Sequence, residues 1–148
     1  MVMKTSKFTK RRIVSFIMMC LLLVGTTFTG CTYGFPEGFD KEEVIAEAEA
    51  VINVISAQDY EGLVAIIRED LRSNVTAKDF EDSWGEALDE LGKFEKFGNP
   101  VLSGEMDTET GEEFALVAYR CYYEKGKATY TVYFDSNMEV TAVYMQLN

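Results

Sequence analysis

The sequence predicts an α+β domain, in which three N-terminal helices pack on a curved antiparallel sheet of about four strands. The run from Phe114 to Leu147 is rich in aromatic and β-branched residues, contains no proline and is broken by two short polar segments. This pattern is typical of strands joined by tight turns. Ahead of it, three segments each carry apolar residues at helical spacing behind a capping residue. We expect residues 40–148 to form the domain.

The N-terminal residues 1–30 have the pattern of a secretory signal. Basic residues precede the apolar run Ile13–Val24, and small residues lead from there to Cys31. The segment Phe28-Thr29-Gly30-Cys31 resembles the lipobox of bacterial lipoproteins, with Phe28 where that family prefers leucine. The resemblance implies cleavage after Gly30, a lipid on the Cys31 thiol, and a protein anchored to the cell membrane on its extracellular side. An uncleaved membrane anchor is the alternative, although the apolar run is shorter than the ~20 residues that span a bilayer.

The charge of the chain excludes one class of partner. Residues 31–148 carry nine of the 14 basic residues and all 25 acidic residues, so their net charge is about −16. Phosphate backbones and anionic lipid repel such a body, and we do not expect nucleic acid to bind. The domain is expected to stand off the membrane on a short tether, residues 31–39, which contains two glycines and a proline.

Histidine is absent from the sequence. Its absence removes the Ser-His-Asp and Cys-His nucleophile systems and every His-ligated metal site, and we expect neither a cofactor nor a metal. Cys121 falls on the apolar side of a predicted strand. A buried structural thiol is expected there, because a reactive cysteine needs an accessible, electropositive setting.

The first two helices are predicted from their caps and apolar stripes. Asp40 forms a capping box with Glu43 and opens a helix that ends near Ala57. Asp59 caps a second helix that runs to about Leu71. The side of the first helix away from its apolar stripe carries acidic residues that we expect to face water, namely Glu42, Glu43, Glu47 and Glu49.

The third helix is predicted between Thr76, which pairs with Asp79 in a capping box, and Gly92, which stands where a C-terminal glycine belongs. Trp84 is the one tryptophan, and its large apolar area makes it the expected anchor between helix and sheet. The acidic residues of this helix are read as a solvated face; they are Asp79, Glu81, Asp82, Glu86, Asp89 and Glu90.

A first strand is predicted over Lys93–Leu102, where Pro100 argues for an edge or a bulge. The acidic segment Ser103–Glu113 follows as a loop. It resembles a calcium loop, but Thr110 separates its glycine from the third oxygen ligand, so the spacing is wrong for that site. We expect a solvated loop.

The register of the sheet follows from burial. A two-residue loop at Lys125-Gly126 pairs Tyr123 with Ala128. One face is then almost wholly apolar, and it carries Val117, Tyr119, Cys121, Tyr123, Ala128, Tyr130, Val132 and Phe134. A turn at Asp135–Met138 leads to the last strand. The favoured register places Val140, Ala142 and Tyr144 on that face, and the alternate set, Val143, Met145 and Leu147, is equally apolar.

Four tyrosines give the sequence its one candidate pocket. Tyr119, Tyr123, Tyr130 and Tyr144 are expected to project from the sheet toward the helices and Trp84. If packing leaves a gap, these side chains line a cavity with hydroxyls available for hydrogen bonds. The alternative is that they fill the core.

Five short motifs carry a family resemblance, namely Phe39-Asp40, Gln58-Asp59-Tyr60-Glu61, Trp84, Leu91-Gly92-Lys93-Phe94 and Val132-Tyr133-Phe134-Asp135. They resemble an uncharacterised domain of Gram-positive lipoproteins and secreted proteins, domain of unknown function 3887. Met138 replaces a glycine common in that family, so the last turn is expected to differ. The order of helices and strands resembles the cone-shaped, cystatin-like fold of nuclear transport factor 2, and fold alone does not give function.

These observations favour a non-catalytic, lipid-anchored surface domain that binds a small ligand or a protein partner. The resemblance implies self-association through the more polar sheet face, because relatives with this fold often form such homodimers. One alternative is an enzyme similar to fold relatives that isomerise or dehydrate substrates, which needs a carboxylate and a tyrosine facing each other in a dry pocket. The predicted helical stripes place no acid there. The other alternative is a structural spacer.

Overall fold

The computed structural model describes residues 32–148, so the predicted signal and Cys31 lie outside it. Within this range the helices are α1 (Lys41–Ser56), α2 (Tyr60–Ile66), α3 (Glu69–Arg72) and α4 (Ala77–Leu91). The strands are β1 (Thr32–Tyr33), β2 (Phe94–Met106), β3 (Glu113–Tyr123), β4 (Gly126–Phe134) and β5 (Val140–Leu147). They form one antiparallel sheet in the order β1-β2-β3-β4-β5. The α+β prediction is confirmed.

The predicted caps set the ends of α1 and α4. Asp40 Oδ1 accepts the Glu43 N–H at 2.9 Å, although the structure shows only this half of the predicted box. Thr76 and Asp79 form a complete capping box, and Gly92 ends α4 with a φ of 78°. The side-chain oxygens satisfy backbone N–H groups that have no partner within the helix, which is why these boundaries are readable from sequence.

The second predicted helix is interrupted at Ile67. This residue is extended and forms a bridge with Val140, and the Arg68 N–H donates to the Val140 carbonyl at 2.8 Å. The chain resumes helical structure only at Glu69, as the single turn α3. The prediction of one helix to Leu71 is therefore wrong, because pairing with a distant strand replaces the local helical bonds.

The apolar face predicted for β3 and β4 is confirmed, but the pairing differs by two residues. Cys121 faces Ala128, and Tyr123 faces Gly126, so the turn is Glu124-Lys125. A two-residue shift keeps every side chain on its predicted face. Gly126 begins β4 with no positive φ; a Cβ there would lie 2.7 Å from Leu91 Cδ2, so the glycine gives α4 room.

The last hairpin adopts the alternate register. Phe134 pairs with Val140, which is buried in the core. A bulge follows, because the next residue of β4, Tyr133, pairs with Ala142. Ala142 and Tyr144, which pairs with Thr131, therefore lie on the outer side. The favoured register is wrong for Ala142 and Tyr144, because the bulge adds one residue to β5 and reverses its faces. The core side of β5 after the bulge is formed by Val143, Met145 and Leu147.

Residues 32–39, expected to be a tether, lie against the domain. β1 pairs with β2 at Gly104 and Glu105, and the Phe35 and Phe39 rings meet edge to face and pack on the core. Pro36 occupies the space a side chain on Gly104 would need. β2 consequently continues to Met106, past the predicted start of the acidic loop, and it carries a bulge next to Pro100 as predicted.

Candidate functional site

Two of the predicted pocket tyrosines share a hydrogen-bond chain inside the core. The hydroxyls of Tyr123 and Tyr130 are 2.7 Å apart, and the Tyr123 hydroxyl also lies 2.8 Å from Ser56 Oγ on α1. Both rings are buried. Burial raises the pKa of both phenols, so they stay neutral. Their hydroxyls are therefore engaged with one another and with the helix layer.

The third tyrosine meets a carboxylate that the sequence placed in water. The Tyr119 hydroxyl donates to Glu49 Oε1 at 2.7 Å, and the Phe97 ring packs on the tyrosine at 5.2 Å between centroids. Burial first, and then Glu49, raise the pKa of Tyr119. Glu49 is half-buried, so the prediction that it faces water is wrong. Glu49 borders the apolar stripe of α1, so its place in the sequence is compatible with either the buried or the solvent-facing side of the helix.

Trp84 and Tyr144 lie apart from this cluster. Trp84 is half-buried on α4, where its ring packs on Phe80 at 5.2 Å, and it contacts the margin of the core. Tyr144 is 41% exposed on the outer sheet face, with its ring 5.5 Å from that of Tyr133. The structure thus brings Tyr119, Tyr123 and Tyr130 into the core and separates the other two predicted residues from them.

A groove of about 570 Å³ opens between the end of α1, α4 and the β3–β4 turn. We call it the acidic groove; its lining residues are Gln58, Glu81, Gly85, Glu86, Asp89, Glu90 and Lys125. Gln58 follows α1 with a φ of 56°, and its Nε2 donates to Asp89 Oδ1 at 2.8 Å. A non-glycine residue in this left-handed region is uncommon. The hydrogen bond from Gln58 to Asp89 therefore joins the end of α1 to α4 at a position of unusual backbone conformation.

A buried hydroxyl near Gly85, outside the set of residues that line the acidic groove, has no partner in the described part of the chain. Tyr60 is 8% exposed, and its hydroxyl makes no hydrogen bond among the described residues. It lies 3.8 Å from the position that a Cβ on Gly85 would occupy. Burial, followed by Asp89 and Glu81, raises the pKa of Tyr60. No functional signal singles out Tyr60 in the sequence beyond its place in a family motif.

A second groove, of about 550 Å³, surrounds an ion-pair cluster. Arg68 lies 2.8 Å from Asp70, 2.8 Å from Glu112 and 3.2 Å from Asp135. The Asp70 hydrogen bond is the largest of the contacts that raise the pKa of Arg68, and the same bond lowers the pKa of Asp70. The guanidinium is shared by three carboxylates, which fits a structural role in joining the chain after α2 to two turns.

Other chemistry is limited within the described part of the chain. The described residues include no group of three or more cysteine or acidic side chains placed to hold a metal ion, and none of their helices has the length and apolar character of a membrane span. In the acidic loop, Asp107 accepts the N–H groups of Glu109 and Thr110, and these bonds lower its pKa. Burial raises the pKa of Cys121 to about 12, which keeps the thiol protonated and unreactive.

Comparison with known proteins adds a family and a fold relative. The model of the family described as "Protein of unknown function (DUF3887)" matches residues 48–142. A search of curated proteins gave no match. An NMR structure of a protein from Ruminococcus gnavus ATCC 29149 is similar, with a TM-score of 0.69 and 29% sequence identity over 77% of this chain and 97% of that chain. Because the family model covers more than half of the sequence, the chain belongs to the DUF3887 family.

Proposed function

We propose that the chain is a bacterial surface lipoprotein, anchored through Cys31, whose non-catalytic domain binds a protein partner with the outer face of its sheet. A second copy of the chain is the first candidate for that partner. The hydroxyls of Tyr123 and Tyr130 are engaged within the core, and neither groove described above is lined by them. This arrangement favours binding at the surface over binding in an internal pocket.

The observation that carries this proposal is a row of residues across the outer face. Val101, Ala118, Thr131 and Tyr144 are successive cross-strand neighbours on β2, β3, β4 and β5. Val101 is 63% exposed and Tyr144 is 41% exposed. The described helices pack on the opposite face, around the core. Exposed apolar and tyrosine side chains that form one patch are typical of interaction surfaces.

The edge of the patch carries basic side chains. Arg120 and Lys127 are exposed on the same face, and Lys96 lies over the Tyr122 ring at 5.2 Å. In a chain whose residues 31–148 carry about −16, a basic edge on one face gives a partner a preferred orientation. Such charges act mainly on association rate and specificity.

The position of β1 determines which edge of the domain the proposed anchor would hold. The strand begins at Thr32, directly after Cys31, and residues 32–39 contact the domain. A lipid on Cys31 therefore holds the β1–β2 edge of the domain near the membrane surface. Two or more acyl chains are needed for stable attachment, because one gives only marginal binding.

Membrane fractionation of the full chain in a Gram-positive host tests the anchor. We expect the wild-type protein in the membrane fraction with a lipid mass on an N-terminal Cys31. Cys31→Ala is expected in the soluble fraction, whereas the control Cys121→Ala keeps its attachment. An intact Met1 or an unmodified Cys31 in the membrane-bound protein contradicts the proposal.

Light scattering of residues 32–148 tests pairing through the outer face. We expect a dimer mass that Tyr144→Lys reduces to the monomer mass, because a buried lysine opposite a second sheet is costly. Glu47→Gln changes the charge by the same amount on exposed α1 and should leave the dimer intact. A monomer at every concentration contradicts pairing with a second copy.

A second candidate function rests on the contact between Glu49 and Tyr119. A carboxylate beside a tyrosine is the pair that an isomerase or dehydratase of this fold would use, and the two groups are 2.7 Å apart. It ranks second because Tyr119 is buried and lines neither groove. Under this reading Glu49→Gln abolishes turnover but leaves capture of a partner by the sheet unchanged. A structural spacer would show neither activity.

A further inference from the structure

We propose that the open edge of β5 pairs with the β5 edge of a second copy of the chain, so that two domains share one continuous antiparallel sheet. The open edge consists of the backbone N–H and C=O groups of Val143, Met145 and Leu147 that point away from β4. This contact is separate from the outer sheet face and leaves that face accessible. No step of the argument requires the lipid anchor.

β5 is the last strand of the described sheet. Ile67 and Arg68 cover its outer side at Val140, and no other strand pairing occurs on that side among the described residues. At the other end of the strand, the Asn148 N–H donates to the Lys127 carbonyl at 3.1 Å, which shows which residues of β5 bond to β4.

The direction of the remaining backbone groups follows from alternation. In an antiparallel pair, every second residue of a strand exchanges hydrogen bonds with the same neighbour. Counting back from residue 148, the residues that bond to β4 are 146, 144 and 142. Those between them, Val143, Met145 and Leu147, direct their N–H and C=O groups away from the sheet. A second strand finds its donors and acceptors there.

The two edges of the sheet differ in how they are protected. Natural edge strands avoid pairing through charged side chains, proline, bulges or a covering segment. β2 has all of these, because it carries Lys96, Pro100 and two shifts in register, and β1 covers it at Gly104 and Glu105. β5 has no charged residue, no proline and no glycine, and its one bulge, at Thr141, lies ahead of the open edge.

Apolar side chains are exposed at the same edge. Of the four exposed large apolar side chains of the described residues, Tyr144 and Leu147 lie on β5, and Ile66 is next to the residue that bridges its start. Val143 and Met145 pack on the core but are only partly buried. A strand added at this edge covers apolar surface that the helices leave open, which favours association.

The charge of the chain favours a second β5 as that strand. Residues 31–148 carry about −16, so two copies repel each other in most orientations. β2, β3 and β4 each contain charged residues, whereas β5 contains none. Pairing of β5 with β5 therefore joins two acidic domains without placing one charged side chain opposite another within the paired strands.

The segment at Ile67 limits the register of this pair. Hydrogen bonds across the new contact join outward residues only, one from each copy, so a two-fold axis falls at Tyr144 or at Met145. An axis at Tyr144 would place Asn148 opposite Val140, where Ile67 already pairs. We therefore place the axis at Met145.

In this register Met145 faces Met145 of the second copy, and Val143 faces its Leu147. Each facing pair exchanges two backbone hydrogen bonds. Facing residues lie on the same side of a sheet, so these apolar side chains meet on the helix side. The bonds replace bonds to water and association itself is costly, so the contact is weak and forms where copies are concentrated.

Disulfide trapping tests the contact and its register, in cells of a Gram-positive host that express the full chain and are oxidised with diamide. Met145→Cys should give a disulfide-linked dimer, because facing Cα atoms in such a pair are about 5.5 Å apart, within the range of a disulfide. Val143→Cys and Leu147→Cys should not crosslink alone, since each residue lies about 13 Å along the strand from its own counterpart. Cells that express both variants should contain the mixed dimer. Wild-type chain, whose Cys121 is buried, should give none.

Three further variants, each combined with Met145→Cys, separate the edge from other contacts. Leu147→Pro removes an N–H that points away from β4, so it should lower the yield of dimer several-fold and leave the strand's own pairing intact. Leu147→Lys, which adds a charge to a side chain already 44% exposed, should act in the same way. Val101→Lys, on the outer face, should leave the yield unchanged.

The proposal is overturned if Met145→Cys gives no dimer, or if Val143→Cys alone crosslinks as well as Met145→Cys. It is also overturned if neither Leu147 variant lowers the yield, or if Val101→Lys removes the product. Failure of the proposed anchor is distinguishable, because it places the chain in the soluble fraction, whereas failure of edge pairing leaves Met145→Cys monomeric in whichever fraction holds the protein.

Discussion

The Arg68 guanidinium lies 3.2 Å from the Asp135 carboxylate, and this contact ties the chain after α2 to the turn between β4 and β5. The Asp135 side chain is only 3% exposed. Its Oδ1 accepts the N–H groups of Asn137 and Glu139, each at 2.9 Å. One buried carboxylate therefore shapes the turn and, through Arg68, holds the segment that interrupts the predicted second helix.

Arg68→Met is expected to lower the free energy of unfolding by about 3 kcal/mol, because it leaves the Asp135 charge buried without its cationic partner. Chemical denaturation measures this loss. The matched control is Lys78→Met, which breaks the exposed pair with Asp82 and should cost at most about 0.5 kcal/mol. Equal losses in the two variants would show that the Arg68 cluster contributes no more than a surface ion pair.

Tyr123→Phe should destabilise the domain more than Tyr130→Phe. The Tyr123 hydroxyl bonds both Ser56 and Tyr130, so its removal leaves the buried Tyr130 hydroxyl without its partner. We expect a loss of about 2 kcal/mol for Tyr123→Phe and about 1 kcal/mol for Tyr130→Phe, after which Tyr123 keeps Ser56. Urea denaturation gives both values, and the reverse order would contradict the hydroxyl chain described here.

The free energy of unfolding should begin to fall at a pH lower than that at which the tyrosines of the unfolded chain ionise. Burial raises the pKa of Cys121 to about 12, whereas an unfolded thiol titrates near 8.5. Its contribution to stability is fully present below about pH 8.5 and is lost as the pH rises toward 12, at about 1.4 kcal/mol per pH unit. In residues 32–148, where Cys121 is the one thiol, Cys121→Ala should flatten the stability profile between about pH 8.5 and 9.5. An unchanged slope in that window would contradict the assignment.

Substitutions of Met138 test how well the last turn tolerates a residue other than the glycine that the family resemblance implies. Its φ is 63°, so the turn has a left-handed residue at the position where the family resemblance led us to expect glycine. Both Met138→Ala and Met138→Gly lose the packing of the methionine on the core. Glycine should be the more stable of the two by about 1 kcal/mol, because only alanine retains the strain of a positive φ. Thermal unfolding of the pair measures the difference, and alanine ranking higher would contradict it.

The features predicted correctly are those set by local chemistry or by burial. Thr76, Asp79 and Gly92 bound α4 because capping bonds and positive φ are local requirements. The apolar face of β3 and β4 was readable because side chains alternate strictly along a strand. The same alternation explains why the pairing was predicted two residues away from Tyr123↔Gly126: a shift of two leaves both faces unchanged, so burial cannot detect it.

The features missed depend on contacts between distant residues. Ile67 leaves the helix to pair with Val140, and no local pattern announces that bridge. Gly126 looked like a turn residue, whereas it makes room for Leu91. The bulge at Thr141, between Val140 and Ala142, moves Tyr144 to the outer face. At or near the acidic groove, Tyr60 and Gln58 looked like ordinary helix-start and helix-end residues, and only the packing of α1, α2 and α4 reveals the unpaired hydroxyl and the Gln58–Asp89 contact.

Photo-crosslinking in cells tests the central proposal, that the outer sheet face is the binding surface of an anchored domain. A photoreactive phenylalanine analogue would replace Tyr144 in the full chain, with the same analogue at exposed Glu47 on α1 as the matched control. We predict a discrete higher-mass product from position 144, whose formation is prevented by Val101→Lys on the same row, and none from position 47. No product from position 144, or the same products from both positions, would contradict the proposal.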